Sequence, residues 1–228
     1  MTDRQASSVD TTLYHLAELR LVEDLHDPRR CVPKYDCRGL DVLDVGCGLG
    51  QTLVAPEFRG ARALHGIDID RLAIETGIKM FPELVLSVAS AEHIPYENGR
   101  FDLVFSRVAL PYTNIPRAMT EIARVVRPGG RVWLSLHSWR TEMREVRVAV
   151  RSLAARRLVD RAYVCVNSLL LGSFGRCIPR PWSGTYESFQ FASGLTRIFR
   201  RLQFRDIIVH RARHFYISAQ KEPGATNA

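Results

Sequence analysis

The sequence predicts an α/β domain built on a mostly parallel sheet with helices on both faces. Short aliphatic runs alternate with segments of helical period from residue 41 to residue 127. Such alternation puts strands side by side and sends a helix back over the sheet between them. The first aliphatic run ends in a glycine-rich turn, and no stretch of the chain is long or polar enough to act as a linker. At 228 residues the chain suits one unit with a sizeable core.

The elements follow in order. Residues 10–25 read as a helix, with Asp10 placed to cap it and Leu13, Ala17, Leu21 and Leu25 recurring every four positions. His26 to Arg38 is a loop punctuated by Pro28 and Pro33. Strands are expected near 41–45, 62–67, 83–88, 101–106 and 131–137, and helices near 50–58, 70–80 and 114–127. The last of these helices has Ile115, Ala118, Met119, Ile122, Val125 and Val126 at helical spacing. A further helix is expected over 139–160, with Met143, Val146, Val150, Leu153 and Leu158 on one side. Residues 161–187 look less regular, a helix over 188–201 follows, and strands near 204–211 and 214–220 complete the chain.

The chemistry concentrates in Val42-Leu43-Asp44-Val45-Gly46-Cys47-Gly48-Leu49-Gly50. Three β-favouring aliphatics deliver an acid to the C-terminal end of a strand, the edge at which open α/β sheets bind ligands. The glycines let the backbone turn sharply beside a ligand that a Cβ would push away. Asp44 could hold a cationic amine or a hydroxyl there. Nicotinamide and flavin enzymes use a related turn, G-x-G-x-x-G, but here the third glycine comes one residue early and Gln51 takes its slot. Downstream, Leu64-His65-Gly66-Ile67-Asp68 is a second short strand that ends in an acid. An acid at this distance beyond a glycine turn accepts hydrogen bonds from ribose hydroxyls.

Val88-Ala89-Ser90-Ala91-Glu92-His93-Ile94-Pro95 comes next, then the strand Phe101-Asp102-Leu103-Val104-Phe105-Ser106, then Ile122-Ala123-Arg124-Val125-Val126-Arg127-Pro128-Gly129-Gly130. Taken in order, these segments resemble the class I S-adenosylmethionine (SAM) dependent methyltransferases, most closely the small-molecule and ubiquinone-biosynthesis-type group. That group reads VLDvGCGtG, GvD, DAexlPf, FDlV and EiaRvLkPGG, and residues 40–137 match it in order and spacing. The resemblance implies a doubly wound, Rossmann-like sheet of seven strands, mostly parallel and closed by an antiparallel C-terminal hairpin. It divides the single domain into an N-terminal helix and lid (1–38), a SAM-binding core (39–138), an inserted helical substrate cap (139–187) and a last helix with the closing strands (188–228). The cofactor it implies is S-adenosyl-L-methionine, with S-adenosyl-L-homocysteine as product.

Geometry and resemblance together assign the cofactor contacts. Asp44 and the turn of Gly46, Gly48 and Gly50 should receive the methionine part, the carboxylate offsetting the ammonium charge. Asp68 should take the ribose hydroxyls, with Ile69 on the adenine face, while Asp70 is placed to cap the following helix. Ser90 stands where the family carries Asp, which accepts from the adenine amino group; a serine hydroxyl accepts more weakly. The Ala91 backbone and the Glu92 side chain are further adenine-edge candidates, although Glu92 could equally be a solvated loop acid. Ser106 and Arg107 end the fourth strand beside the expected sulfonium, where Arg107 could also orient an anionic substrate.

Methyl transfer asks little of protein side chains beyond position. The sulfonium is already a good leaving group, and holding a nucleophile about 3 Å from the methyl supplies roughly 7–11 kcal/mol of barrier lowering. An alcohol or amine acceptor must also lose a proton, which calls for a base. Tyr14 and His15 on the first helix, Tyr112, His137 and Glu187 are the candidates. His137 is best placed, at the end of the fifth strand, although a lone histidine is more often a hydrogen-bonded structural residue. Tyr14 and Tyr112 could simply pack over the cofactor.

Composition narrows the function further. The content, 46% apolar and 25% charged, is that of an ordinary water-soluble globular chain. No signal peptide is expected, and the longest apolar stretch, Ala162 to Phe174, is too short to span a bilayer, so a cytoplasmic location is expected. Cysteines 31, 37, 47, 165 and 177 lack paired metal spacing, so no metal is expected and free thiols are. The net charge of +8 is concentrated between Arg140 and Arg180 and between Arg197 and Arg213. Such a surface can serve solubility alone, or attract an anionic substrate, a phospholipid surface or nucleic acid. Nucleic acid is not expected as a partner, because Ser106-Arg107-Val108-Ala109-Leu110-Pro111-Tyr112 lacks the (D/N)-P-P-(Y/F) grip of amino-methylating enzymes and no recognised nucleic-acid module is present.

The expectation is a SAM-dependent methyltransferase acting on a small-molecule acceptor, with O-methylation favoured. Leu169-Leu170-Leu171 and Phe174, flanked by arginines, suggest a cap for an apolar or anionic acceptor, with peripheral membrane contact as an extension of that idea. The same residues could merely pack the inserted helix onto the core. A SAM-binding subunit or regulator without transfer activity is the alternative reading, and a nicotinamide-dependent oxidoreductase a third.

Overall fold

The computed structural model describes residues 3–137, 139–151, 155–211 and 214–224. Each aliphatic run becomes a strand: β1 (Asp41–Val45), β2 (Ala63–Asp68), β3 (Val85–Val88), β4 (Phe101–Arg107) and β5 (Val126–Ser135). After the cap come β6 (Phe204–His210) and β7 (Tyr216–Lys221). The sheet runs β3-β2-β1-β4-β5-β7-β6. Its first five strands are parallel and β7 is antiparallel to both neighbours. This is the seven-stranded Rossmann-like α/β architecture with an antiparallel C-terminal hairpin that the sequence predicts.

Every residue of β1 is buried, as a central strand covered on both faces requires. Leu43 and Val45 enter the core with Met119, Ile122 and Phe199, while Val42 faces Phe58, Ile74 and Trp133 on the other side. The strand order reverses between β1 and β4, and the crevice at such a switch point is where open α/β sheets bind ligands. The opposite end of the sheet is closed by ion pairs in which Asp41 and Asp102 meet Arg62, Arg100 and Arg127.

Six α-helices accompany the sheet among the described residues: α1 (Asp3–Glu23), α2 (Arg71–Met80), α3 (Ile115–Val125), α4 (Trp139–Arg151), α5 (Ala155–Phe174) and α6 (Ala192–Arg201). Asp70 caps α2 by accepting from the Leu72 and Ala73 amides, and the Asn114 side chain caps α3.

Several elements depart from the sequence expectation. No α-helix covers 50–58: Gly50 has φ +90°, residues 51–54 are turns and only Pro56–Phe58 forms a short 3₁₀ turn. Pro56 holds Ala55 in an extended conformation (ψ 148°), which ends any helix before it can start. Helix α1 starts earlier than expected, so Asp10 lies inside it rather than at its cap. Strand β5 begins at Val126, and the Pro-Gly-Gly segment is a register shift within the strand rather than a stop before it.

In the cap, the expected helix over 139–160 is split in two, and the supposedly irregular 161–174 is the second half of α5. Asn167 and Ser168 in it are both buried and satisfied. Asn167 donates to the Tyr163 hydroxyl and the Glu187 carbonyl, and Ser168 donates to the Val164 carbonyl. Gly175, with φ +65°, follows the end of α5. Leu153 lies outside the described residues. The last helix starts at Ala192 rather than 188, because Ser188 and Gln190 give their amides to the Pro111 and His137 carbonyls and are drawn out straight.

Candidate active site

Two carboxylates and the turn between them form the centre of the crevice. Asp44 on β1 sits opposite Gly66 on β2, so Asp68 lies two residues further along the neighbouring strand. That register places the two α-carbons roughly 8 Å apart at the same sheet edge. The turn folds back onto β2, with the Gly46 and Cys47 amides both donating to the Ile67 carbonyl at 2.8 and 3.0 Å. Asp68 completes the loop: its Oδ2 accepts from the Gly48 amide at 2.8 Å and its Oδ1 from the Asp70 amide at 2.9 Å.

Gly46, Gly48 and Gly50 all have positive φ. At Gly46 a Cβ would also stand 2.1 Å from the Cβ of Ala109, so the turn and the loop after β4 touch through bare backbone.

Asp44 is 1% exposed, and its Oδ1 has no hydrogen-bond partner in the protein. Burial pushes its carboxyl well above the ordinary carboxylate range; nearby Arg107 opposes that rise and Asp68 adds to it. The Ser106 hydroxyl at the tip of β4 is likewise buried and without a partner. Buried polar groups are almost always satisfied, so two orphans at one crevice suit a ligand that brings a cation and hydrogen-bonding groups.

Beside Asp68, Ile69 is 76% exposed although it is a large aliphatic. Ser90 accepts from the Glu92 amide at 3.1 Å, which fixes the loop after β3, and Ala91 packs against the core. The Glu92 carboxylate accepts from the Asn114 amide at 2.8 Å and so ties this loop to the start of α3.

Helix α1 covers the turn. The His15 ring lies where a Cβ on Gly48 would be, 2.4 Å from that position, and its Nδ1 meets Gln51 Nε2 at 3.2 Å. Burial lowers the His15 pKa, and the nearby Asp68 and Asp70 partly offset this. Arg107 pairs with Glu18 of α1 at 2.5 Å and contacts the Thr52 hydroxyl at 3.3 Å. Burial and then Glu18 raise the Tyr14 hydroxyl. Val108 holds φ +62° immediately after β4, a strained conformation for a β-branched residue beside the crevice.

His137 and Tyr112 meet in a second space between core and cap. Their rings lie 5.5 Å apart and nearly perpendicular, and both line a cavity of about 510 Å³. Its other walls include Glu142, Glu145, Arg157, Asp160, Arg161 and Glu187. Arg161 bridges Glu142 and Glu187, each at 3.1 Å, and Arg180 also pairs with Glu187. Burial lowers the His137 pKa; Glu187 raises it and Arg161 lowers it further. The imidazole is therefore neutral at neutral pH. Burial also raises the Tyr112 phenol, with Glu187 and Tyr14 adding to the effect.

Asp44 and Asp68 meet at the glycine turn, and Tyr112, His137 and Glu187 line the second cavity; the arginine–glutamate network there, whose members lie 19 and 26 residues apart, has no trace in the sequence pattern. The apolar cap segment is a correction. Leu171 is buried in the core, while Leu169 and Phe174 are exposed, and none of Leu169-Leu170-Leu171 or Phe174 lines the cavity. Among the described residues, no group of three or more His, Cys, Asp or Glu side chains could hold a metal ion. None of their helices is long and apolar enough to cross a membrane.

Residues 43–134 match the family described as "Methyltransferase domain". The chain is 30% identical over 125 residues to the sterol 4-C-methyltransferase strm-1 of Caenorhabditis elegans, covering 51% of this chain and 33% of that protein. It is 37% identical over 97 residues to the malonyl-[acyl-carrier protein] O-methyltransferase of Hahella chejuensis, covering 40% of this chain and 34% of that one. The chain thus spans about a third of the length of these curated relatives. The fold is also that of an S-adenosylmethionine dependent methyltransferase from Mesorhizobium loti, with TM-score 0.56 at 16% identity, covering 82% of this chain and 93% of that one. The glycine turn and the paired acids lie within residues 43–134, the segment that is similar to the methyltransferase domain family, and the fold is that of solved SAM-dependent methyltransferases.

Proposed function

We propose that the chain transfers a methyl group from SAM to an oxygen of a small polar acceptor held between core and cap. The observation that carries this reading is the buried, unpartnered Oδ1 of Asp44 beside a glycine turn at the sheet's switch point. SAM, when bound, supplies a methyl group on a positively charged sulfur.

The chain's own residues do the rest. Asp44 offers its carboxylate to the cofactor's ammonium group, and the Ser106 hydroxyl adds a hydrogen bond at the next strand tip. Asp68 already accepts one backbone amide on each oxygen, and each oxygen keeps a further lone pair for a ribose hydroxyl. The Ile69 side chain covers one face of the adenine, and Ser90 and Ala91 meet its edge, with Glu92 steadying their loop. Tyr14 and His15 close over the cofactor from α1. The neutral His137 imidazole takes the proton from the acceptor hydroxyl, Glu187 steadies the imidazolium so formed, and Tyr112 holds the ring at its edge.

The cavity's lining argues for a polar acceptor rather than an apolar one, since its walls carry Glu142, Glu145, Asp160, Glu187, Arg157 and Arg161. Arg157, on its rim, is the residue we assign to an acceptor carboxylate or phosphate. The expected membrane contact belongs to a different face of the cap.

The test is methyl transfer from isotopically labelled SAM to a panel of hydroxylated acceptors by the purified protein. His137→Ala is expected to lower turnover about 100-fold while SAM affinity holds. A drop of less than about threefold would remove His137 from the reaction. Failure of every acceptor with SAM bound would favour the non-catalytic SAM-binding reading.

A further inference from the structure

From the outer face of the cap we infer that α4 and α5 dock on an anionic phospholipid surface. The inference stands apart from methyl transfer and holds whichever acceptor fills the cavity. Along α5, Val159, Ala162, Val166 and Leu169 recur at three- and four-residue spacing, so they share one face. Val159, Val166 and Leu169 are 51–57% exposed. The opposite face of α5 (Tyr163, Val164, Asn167, Ser168 and Leu171) is buried. From Ala162 to Phe174 the helix carries no charged residue, and its exposed residues are Ala162, Val166, Leu169 and Phe174 with the single polar Ser173. A water-facing helix surface of that kind signals an interaction site.

Helix α4 packs beside it and supplies the charge. Glu142 and Ala149 are buried, and Glu145, Val148 and Ala149 line the acceptor cavity. The stripe Trp139, Met143, Val146 and Val150 shares none of the cavity-lining positions and turns away from the cavity. Trp139 and Val150 on it are more than half exposed. Next to that stripe, opposite the buried residues, run Arg140, Arg144, Arg147 and Arg151, all exposed. Glu145 is the acid nearest them, 3.6 Å from Arg144. An apolar face with a tryptophan at its edge, bordered by arginines, is the pattern of a helix lying in the plane of a membrane interface.

Charge complementarity decides the occupant. A second copy meeting this face across a two-fold axis would bring two arginine stripes together, and like charges there disfavour the pair. An anionic bilayer satisfies the arginines and the apolar residues at once.

Sedimentation of the full chain with vesicles tests the inference. Binding is expected to phosphatidylcholine vesicles holding phosphatidylglycerol at about 30 mol%, and not to pure phosphatidylcholine. Arg144→Glu with Arg147→Glu, and separately Val166→Asp with Leu169→Asp, should each weaken that binding about tenfold or more. SAM affinity should stay unchanged in both, because none of these residues faces the crevice or the cavity. Retained SAM binding also shows that each variant has folded, and it keeps a failure of this inference distinct from a failure of the site reading. Absence of binding to the anionic vesicles, or binding that neither variant weakens, would overturn the inference. So would a dimer in sedimentation equilibrium that Val166→Asp with Leu169→Asp splits, which would give the face to a second copy.

Discussion

Replacing Asp44 with Asn separates the two demands placed on this carboxylate. In the ligand-free protein it is buried with one oxygen unpartnered, and burial raises its pKa. A folded-state pKa above the unfolded value contributes stability that is fully present below the unfolded pKa, near 3.9. That contribution is lost as the pH rises and the carboxylate ionises without a partner. At neutral pH the neutral amide should therefore stabilise the free protein, by about 1 kcal/mol if the relief resembles that of one unsatisfied buried group. For a chain of this size that is a rise in Tm of about 2–4 °C. In the complex the sign reverses. A hydrogen bond to a charged group contributes about 1.5–3 kcal/mol. Since 1.4 kcal/mol is tenfold, SAM should bind roughly 10- to 150-fold more weakly. Differential scanning fluorimetry and isothermal titration calorimetry on Asp44→Asn measure both sides. A variant that melts several degrees lower, or that binds SAM as the wild type does, would refute the reasoning.

Three further perturbations follow from the same geometry. If neutral His137 is the base, turnover should fall on the acid side with a midpoint below 6.5, the ordinary histidine pKa, because burial lowers the folded value; a midpoint above that value would contradict the assignment. The same shift costs stability as the pH drops, since between the folded and unfolded values the unfolded chain binds the extra proton. Gly46→Ala would place a Cβ 2.1 Å from that of Ala109 at a positive φ, and should cost about 1–3 kcal/mol and lower Tm measurably in thermal denaturation. Ser90→Asp restores the carboxylate carried by related enzymes and keeps an acceptor for the Glu92 amide. It should tighten SAM binding about tenfold in calorimetric titration, the difference between a neutral and a charge-assisted hydrogen bond.

The strands were legible because a buried parallel strand leaves a direct trace: β1 and the apolar runs Leu103–Phe105 in β4 and Val132–Leu134 in β5 are buried throughout. The cofactor crevice was legible for a related reason. Asp44 and the glycine turn are contiguous in the chain, and Asp68 follows on the next strand, so their proximity needs little tertiary information. What escaped the sequence depended on packing. Residues 50–58 have a helical look until Pro56 fixes Ala55 as extended. Residues 161–174 looked irregular, yet they are helical, and the Glu187 carbonyl and the Phe189 amide, about twenty residues away, satisfy the buried Asn167 and Ser168. The polar cavity was hidden because Arg161, Glu142 and Glu187 meet only once α4 and α5 are docked. The leucine run, which the sequence allowed either to line a substrate site or to pack the helix onto the core, is divided between the core (Leu171) and the surface (Leu169).

The central claim is that the crevice between the tips of β1, β2 and β4 holds SAM. Calorimetric titration of the purified protein with SAM and, separately, with NADH tests it most directly. The account predicts saturable one-to-one binding of SAM, abolished or strongly weakened in Asp44→Asn, and no binding of NADH. Heat from NADH with none from SAM, or a SAM isotherm indifferent to Asp44, would contradict it.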